Sequence, residues 1–390
     1  MYGAKTSGEL RAHNRVRLLR AIHDRAAAST RSQLTRALDL ARGTASVLVG
    51  GLAEDELLHE EPAAEQARGR PTQVPGPHPN GPLVLAADLR EDAWELAACE
   101  LGGRYTVLET RGHDGSPEGA LLPLGAAIRD RLTPRVVGVG LSAAGPVRWG
   151  RILDIAHLGW ADVDLAAMLP MAVPLHVGND ARLAGLAEAR RGRLRGVGVG
   201  LHLHVDFDLG GSLLIEGRPL TGASGTAGEF GHMPLTGGGR PCPCGAIGCW
   251  SLDVGGNALL RHAGLSAGGG RGRPHADRLV RQAGDGDAAA LAAVTAVARA
   301  LGTGIGALVN AHDPEVVTLS GLGVDLHALA GRALSETYAE GLMAFRERQP
   351  PPIVPSALGR AGPLTGAMES VFDAFLTVEG LDAWRSARSG

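Results

Sequence analysis

One histidine and three cysteines carry the chemistry most plainly written in this chain. His232 stands ten residues ahead of Cys242, and Cys242, Cys244 and Cys249 put three of the four cysteines within eight positions. Three thiolates and one imidazole make a closed tetrahedral ligand set for zinc. No ligand position is left for water, so the metal these residues predict is structural and not a Lewis acid. Gly245 and Gly248 let the chain turn back from Cys244 to Cys249. A disulfide is the alternative reading, and neighbouring cysteines of this kind meet its geometry poorly. Cys99 lies alone in an apolar run and reads as a small buried hydrophobe.

A second group of polar residues falls where strands give way to turns. Leu175-His-Val-Gly-Asn-Asp180 reads as a strand entering an Asn-Asp turn, followed by a helix over Arg182–Arg190. An amide and a carboxylate at such a turn suit the reading of hydroxyl patterns in a cleft. Capping of the following helix is the plainer role for the same pair.

Gly228-Glu-Phe-Gly-His232, followed by Cys-X-Cys-Gly-X-X-Gly-Cys249, resembles the signature of the ROK family of repressors and sugar kinases. The resemblance runs through almost the whole chain. It implies an α/β fold with two lobes of the actin-like ATPase and sugar kinase type, in which the zinc knuckle braces a sugar pocket. It also implies roles for single residues. Asp180 matches the general base of the family's kinases, and Asn179, Glu229 and His232 match sugar contacts, which makes these four the candidate effector-binding residues. Ser251 stands where the family has a further sugar-binding Glu, with bulky Trp250 beside it, and His157 stands where the family often has Asn. A changed or weakened ligand preference follows.

Kinases of this fold grip ATP phosphates with glycine-rich turns whose N–H groups face the anion. The first such turn in the family reads close to Asp-Leu-Gly-Gly-Thr; here Asp88-Leu89 is followed by Arg90-Glu91-Asp92. The second reads Gly-Thr-Gly-Ile-Gly-Gly-Gly, against Asp206-Phe-Asp-Leu-Gly-Gly-Ser212 here. Side chains block the close approach that glycine allows. Carboxylates would also stand against a triphosphate, at about 1 kcal/mol per charge pair at 4 Å even in bulk water. Magnesium binding by Asp206 and Asp208 is the competing reading. The expectation is a non-enzyme.

Net charge is −3, but it is unevenly spread. Residues 1–53 hold nine basic groups against three acidic ones, and residues 54–65 hold six acids and no Lys or Arg. A basic start on an acidic protein suggests a nucleic-acid-facing module. Asn14–Asp24 has helical apolar spacing; Ser29-Thr30 caps a second helix with Leu34 and Leu38 inward; a third helix covers Arg42–Leu52 with Val47, Leu48 and Leu52 as its apolar face; Leu57–Glu60 is a strand. That order is a winged helix-turn-helix, and the phrase from Ser29 to Leu58 is similar to the family's repressor domain. The third helix of such a fold enters the major groove, so Arg42, Thr44 and Ser46, with Arg31, are DNA-binding candidates. Arg68 and Arg70 lie on an extended glycine-bearing segment suited to a phosphate or minor-groove contact.

The expected division is therefore a winged helix-turn-helix over 1–74, a Pro-rich linker over 75–82, and a two-lobed effector and dimerisation domain over 83–390. No signal-peptide pattern and no membrane-spanning stretch stand out, and metal-type cysteines agree with a reducing cytoplasm. The expected function is a transcriptional regulator, a repressor answering to a sugar or sugar derivative. It would act as a homodimer or homotetramer on a pseudo-palindromic double-stranded operator, with structural zinc. A sugar kinase with an added DNA module is one alternative; a regulator with an inert cleft that answers to a protein partner is the other.

Overall fold

The computed structural model describes residues 6–62, 73–237, 239–266 and 269–389. The chain opens with three helices, α1 (Ser7–Asp24), α2 (Arg31–Ala37) and α3 (Arg42–Glu54), and a two-stranded antiparallel ribbon of β1 (Leu58–Pro62) and β2 (Gln73–Pro77). Three helices followed by a two-stranded ribbon match the element order expected of a winged helix-turn-helix. Thr6 with Glu9 and Thr30 with Gln33 form capping boxes that start α1 and α2. The α1 cap places its start at Ser7, a turn and more ahead of the apolar run that marks it in the sequence.

Two expectations for this module change. The ribbon runs three residues into the stretch expected to be linker, pairing Pro75 with Glu60 and Pro77 with Leu58. A two-stranded ribbon leaves the outer N–H of each strand without a partner, so proline is tolerated there. In α3 the inward residues are Ala45, Leu48, Val49 and Leu52, whereas Val47 is 55% exposed. Val47 lies one step off the 3.6-residue stripe and so joins the outward face.

The large domain uses one pattern twice: a three-stranded meander, a helical connection and two further parallel strands. In lobe 1, β3 (Leu83–Leu89), β4 (Ala93–Glu100) and β5 (Tyr105–Gly112) form an antiparallel meander. Helix α4 (Pro117–Arg129) then leads to β6 (Val136–Ala143), which pairs parallel with β3. A small sheet of β7 (Val147–Arg148), β8 (Arg151–Ile155) and β9 (Trp160–Asp164) and the short α5 (Leu165–Met168) follow. Then β10 (Leu175–Asn179) adds parallel to β6, and α6 (Asp180–Arg191) begins. Lobe 2 repeats this: β11 (Val199–Val205), β12 (Leu209–Ile215) and β13 (Arg218–Pro219) form the meander. After α7 (Gly256–His262), α8 (Arg273–Gly284) and α9 (Ala288–His312), β14 (Val316–Gly321) pairs parallel with β11. After α10 (Leu322–Glu340), β15 (Ile353–Pro355) pairs parallel with β14. The turns β3–β4 and β11–β12, the two places where family-type glycines are replaced, are thus equivalent turns of the two repeats.

Helix α9 is apolar and long enough to cross a bilayer by composition, but most of it is buried; Val294, Val297, Leu301 and Ile305 anchor the lobe 2 core. Trp250 belongs to that core as well. It is 1% exposed, donates Nε1–H to Ala300 O at 2.8 Å, and fits only because Gly304 of α9 carries no side chain. This bulky neighbour of Ser251 therefore lies in the core and not in the cleft; a buried indole takes the backbone partner that the core offers.

Helix α11 (Gly362–Phe375) packs on the lobe 1 sheet, α6 packs on the lobe 2 sheet, and the two helices pack on each other. Gly366 makes this possible, because a side chain there would run into the main chain at Leu183. The N-terminal module shares one core with this helix pair. Leu18, Leu19, Ile22, Leu52 and Leu58 are continuous with Leu183, Met368, Phe372 and Phe375. Helix α12 (Val378–Ser389) closes the seam, with Trp384 Nε1 donating to Asp55 O at 2.8 Å.

Candidate functional site

The strand ends and turns of both lobes open onto one cleft of about 360 Å³, within the usual range for a small-molecule pocket. Asn179, Asp180, Glu229 and His232 all line it, as do Asp88, Asp206, Asp208 and Arg273. The four predicted effector residues are therefore brought together from two separated segments.

Asn179 is the N-cap of α6 and its polar atoms are used locally. Its Oδ1 accepts from Arg182 N at 3.1 Å, and its Nδ2 donates to Gly145 O at 3.1 Å and to Asp180 Oδ1 at 2.9 Å. It fixes the turn and orients Asp180. Asp180 also accepts from Ala181 N at 2.6 Å. Burial, with the charges of Asp88, Asp206 and Glu229 behind it, holds its carboxyl well above the ordinary range despite that bond. Asp88 is likewise pushed up by burial, to about 6, although Arg90 and a 2.8 Å hydrogen bond from Ser142 Oγ oppose the shift. Two buried carboxyls of this kind offer both donor and acceptor capacity to hydroxyl groups.

The other half of the cleft is bridged by the protein itself. Arg273, at the start of α8 in lobe 2, grips Asp206 with both terminal nitrogens at 2.9 and 2.7 Å and reaches Asp92 of lobe 1 with Nε at 3.2 Å. Burial opposes the ionisation of Asp206, but Arg273 holds it below the ordinary carboxylate value. Glu91 accepts from Gly270 N at 2.6 Å. His157 of lobe 1 meets Asp208 of lobe 2 at 2.8 Å, and that bond raises its imidazole to about 8. Glu91, Asp92 and Asp208 thus make contacts between the lobes, and Asp206 anchors Arg273 from within lobe 2. These side chains stand at the positions that the family resemblance equates with phosphate-cradling turns.

Ser251, where the family has a Glu, is 4% exposed and turned inward, donating Oγ–H to Gly231 O at 3.1 Å. The cleft loses that carboxylate outright.

Beside the cleft, the donor atoms of His232, Cys242, Cys244 and Cys249 all lie within 4.8 Å of one another. Cys244 Sγ and Cys249 Sγ are 3.7 Å apart, and Cys242 Sγ is 3.9 Å from His232 Nδ1. A tetrahedral centre with bonds of about 2.0–2.3 Å puts its ligands roughly 3.3–3.8 Å apart, so the set fits one metal ion. Burial and the neighbouring thiols push the Cys249 thiol up to about 12, a setting in which a bound cation stabilises thiolate. Nδ1 faces the cysteines, while Nε2 lies 3.9 Å from Glu229 Oε2 on the cleft side. A metal here would fix the ring that the cleft uses.

In the N-terminal module, Arg42, Thr44, Ser46 and Val47 are all exposed near the start of α3. Arg31 is paired with Glu60 of β1 and donates to Ser46 Oγ at 3.3 Å, so it ties α2 to the ribbon and to α3. Arg68 and Arg70 lie outside the described residues.

A joint that the sequence does not signal connects this module to the cleft. His23, wholly buried at the end of α1, meets Glu369 of α11 at 3.1 Å through Nε2 and accepts from Gly102 N at 3.0 Å through Nδ1. Arg191, the last residue of α6, meets Glu369 at 2.7 Å and donates to His23 O at 2.7 Å.

The ROK family model matches residues 126–373. The chain is 23% identical over 365 residues to the xylose repressor of Bacillus spizizenii (strain ATCC 23059 / NRRL B-14472 / W23), covering 90% of this chain and 92% of that protein. It is 27% identical over 276 residues to the glucokinase of Streptomyces coelicolor (strain ATCC BAA-471 / A3(2) / M145), covering 65% of this chain and 86% of that one. The solved structure of a ROK family transcriptional regulator, a homologue of the E. coli MLC protein, is 22% identical. It covers 96% of this chain and 99% of its own, with a TM-score of 0.72.

Proposed function

The chain belongs to the ROK family, and from that premise we propose that it is a cytoplasmic DNA-binding transcription regulator, a sugar-responsive repressor without kinase activity. Repressors and kinases both occur among its relatives at similar identity, so residues have to favour one over the other. The observation that carries the reading is Arg273, bonded to Asp206 within lobe 2 and to Asp92 of lobe 1 across the cleft. In a kinase of this fold the equivalent turns present backbone N–H groups to phosphate. Here a carboxylate–guanidinium cluster takes that space, and each acid would repel a triphosphate.

The near half of the cleft keeps the groups for a sugar: Asp180 held by Asn179, with Glu229 and His232 opposite. Zinc on His232, Cys242, Cys244 and Cys249 would brace His232 as a structural ion. Two modules on a homodimer or homotetramer would match a pseudo-palindromic operator. Arg42, Thr44 and Ser46 would face bases, while Arg31 would hold the recognition helix to the wing.

Calorimetry with common hexoses and pentoses, run beside a coupled assay for ADP, tests the reading. A sugar should bind without ADP release and should bind less well to Asp180→Asn. Loss of the family's Glu at Ser251 removes a charged hydrogen bond of about 1.5–3 kcal/mol, so affinity should fall roughly ten- to hundredfold below that of a site that keeps it. Sugar-dependent ADP release at roughly 1–100 s⁻¹ would establish the kinase reading instead. Binding of no sugar would favour the regulator that answers to a protein partner.

A further inference from the structure

A second cavity, of about 680 Å³, lies between the N-terminal module and the large domain and shares no lining residue with the cleft. Arg182 and Arg190 stand about two turns apart on its α6 wall. Arg20 enters from α1 and Arg218 from β13, and Asp373 and Glu216 are the acids of the wall. Asp373 is already spent, with its oxygens on Arg20 Nη1 at 2.7 Å and Arg190 Nη2 at 2.9 Å.

The other arginines lack such a partner. Among the described residues, the one hydrogen bond of the Arg182 guanidinium is from Nη1 to Gly225 O, at 3.4 Å. Arg218 is exposed and forms no ion pair among the described residues. Nε of Arg190 is buried without a partner. Burial without a counter-charge lowers the Arg182 pKa. A guanidinium does not deprotonate in proteins, so its desolvation is relieved by an anion and not by loss of a proton.

Four arginines against two acids leave the wall at a net charge of about +2. A phosphate monoester carries about −1.5 to −2 at pH 7 and offers three acceptor oxygens to forked N–H donors. A carboxylate ligand would neutralise half of the excess.

We propose that this groove is an anion site for a phosphate monoester, or for inorganic phosphate itself, and that its occupancy reaches the DNA-binding module through Arg20. The ligand touches Arg182 and Arg218 and lies beside Arg20, whose guanidinium already bonds Asp373 and Leu376 O, so its charge bears on the contact that ties the module to the domain.

Titration of the full chain with inorganic phosphate, glucose 6-phosphate and glucose tests this. The proteins compared are the parent, the Arg182→Ala/Arg218→Ala variant and Asp180→Asn. The phosphate compounds should bind the parent and Asp180→Asn alike, and should bind the double variant about tenfold or more weakly. Tighter binding of glucose 6-phosphate than of phosphate assigns the site to an ester; equal binding assigns it to the free ion. Arg218→Ala alone, at an exposed hairpin position, should give a smaller loss and keeps the test open if Arg182→Ala disturbs α6. Equal affinity in parent and double variant, or loss of phosphate binding in Asp180→Asn alone, would overturn the proposal. So would a double variant that loses operator affinity with no phosphate present, because the arginines would then be contacting DNA.

Discussion

Asn179 and Arg191 stand at the two ends of one helix: Asn179 caps α6 inside the cleft, and Arg191 ends it against Glu369 and the main-chain oxygen of His23 in the N-terminal module. Twelve residues of helix, about 18 Å, separate a ligand-facing turn from a buried joint. On the proposed reading, a shift or tilt of α6 when a ligand enters the cleft would reach α1 without an intervening loop.

Arg191→Ala should break this joint. It leaves Glu369 buried with one of its two basic partners gone, a change that costs about 3–5 kcal/mol when a buried pair is broken. Chemical denaturation should show that loss. Operator binding by the folded variant should no longer respond to the ligand of the cleft.

The same joint should be acid-labile. Burial opposes ionisation of Glu369, yet His23 and Arg191 hold its carboxyl down at about 2, from an ordinary value of 4.5. Its stabilisation is present above pH 4.5 and is lost as pH falls from there towards 2. Denaturation midpoints over that range should fall more steeply for the parent than for Glu369→Gln.

Much of the candidate site is legible in the sequence because its signals are local. The cysteine spacing, the Asn-Asp turn and the replaced glycines each sit within a few adjacent residues, and the four metal-type ligands come together in space. The joint is not legible. His23, Arg191 and Glu369 are separated by 168 and 178 positions along the chain, and no periodicity links buried ionic groups. Val47 looks apolar and inward from its neighbours in sequence, but three-dimensional packing turns it outward. The clamp of Arg273 is equally hidden, because the sequence shows the acids of both turns but not the arginine that unites them.

Across the cleft, His157 and Asp208 should make stability depend on pH in the opposite direction. The folded imidazole is raised from 6.5 to about 8 by Asp208. Its contribution, about 1 kcal/mol after allowance for solvent screening, is full below pH 6.5 and disappears as pH rises through 8. Melting temperature between pH 6 and 9 should fall in the parent, and the fall should be shallower in His157→Gln.

Cys244→Ala should release the metal. Elemental analysis should give one zinc per chain for the parent and none for the variant, with a lower melting temperature. Because His232 turns its second nitrogen to the cleft, the variant should also bind sugar less well. A variant that keeps parental stability and sugar affinity would contradict a metal role for this cluster.

On α3, Arg42→Ala should reduce discrimination between operator and random DNA by about 1–3 kcal/mol if Arg42 reads a guanine. Arg31→Ala should instead weaken binding to all sequences, because Arg31 is committed to Glu60 and Ser46.

Selection of bound fragments from genomic DNA by the full-length protein tests the DNA-regulator reading most directly. The expected result is enrichment of a pseudo-palindromic sequence whose binding weakens steeply with salt, and loss of that enrichment for a folded Arg42→Ala/Thr44→Ala variant. No enrichment over random fragments, or equal enrichment by that variant, would contradict a DNA-binding role for the N-terminal module.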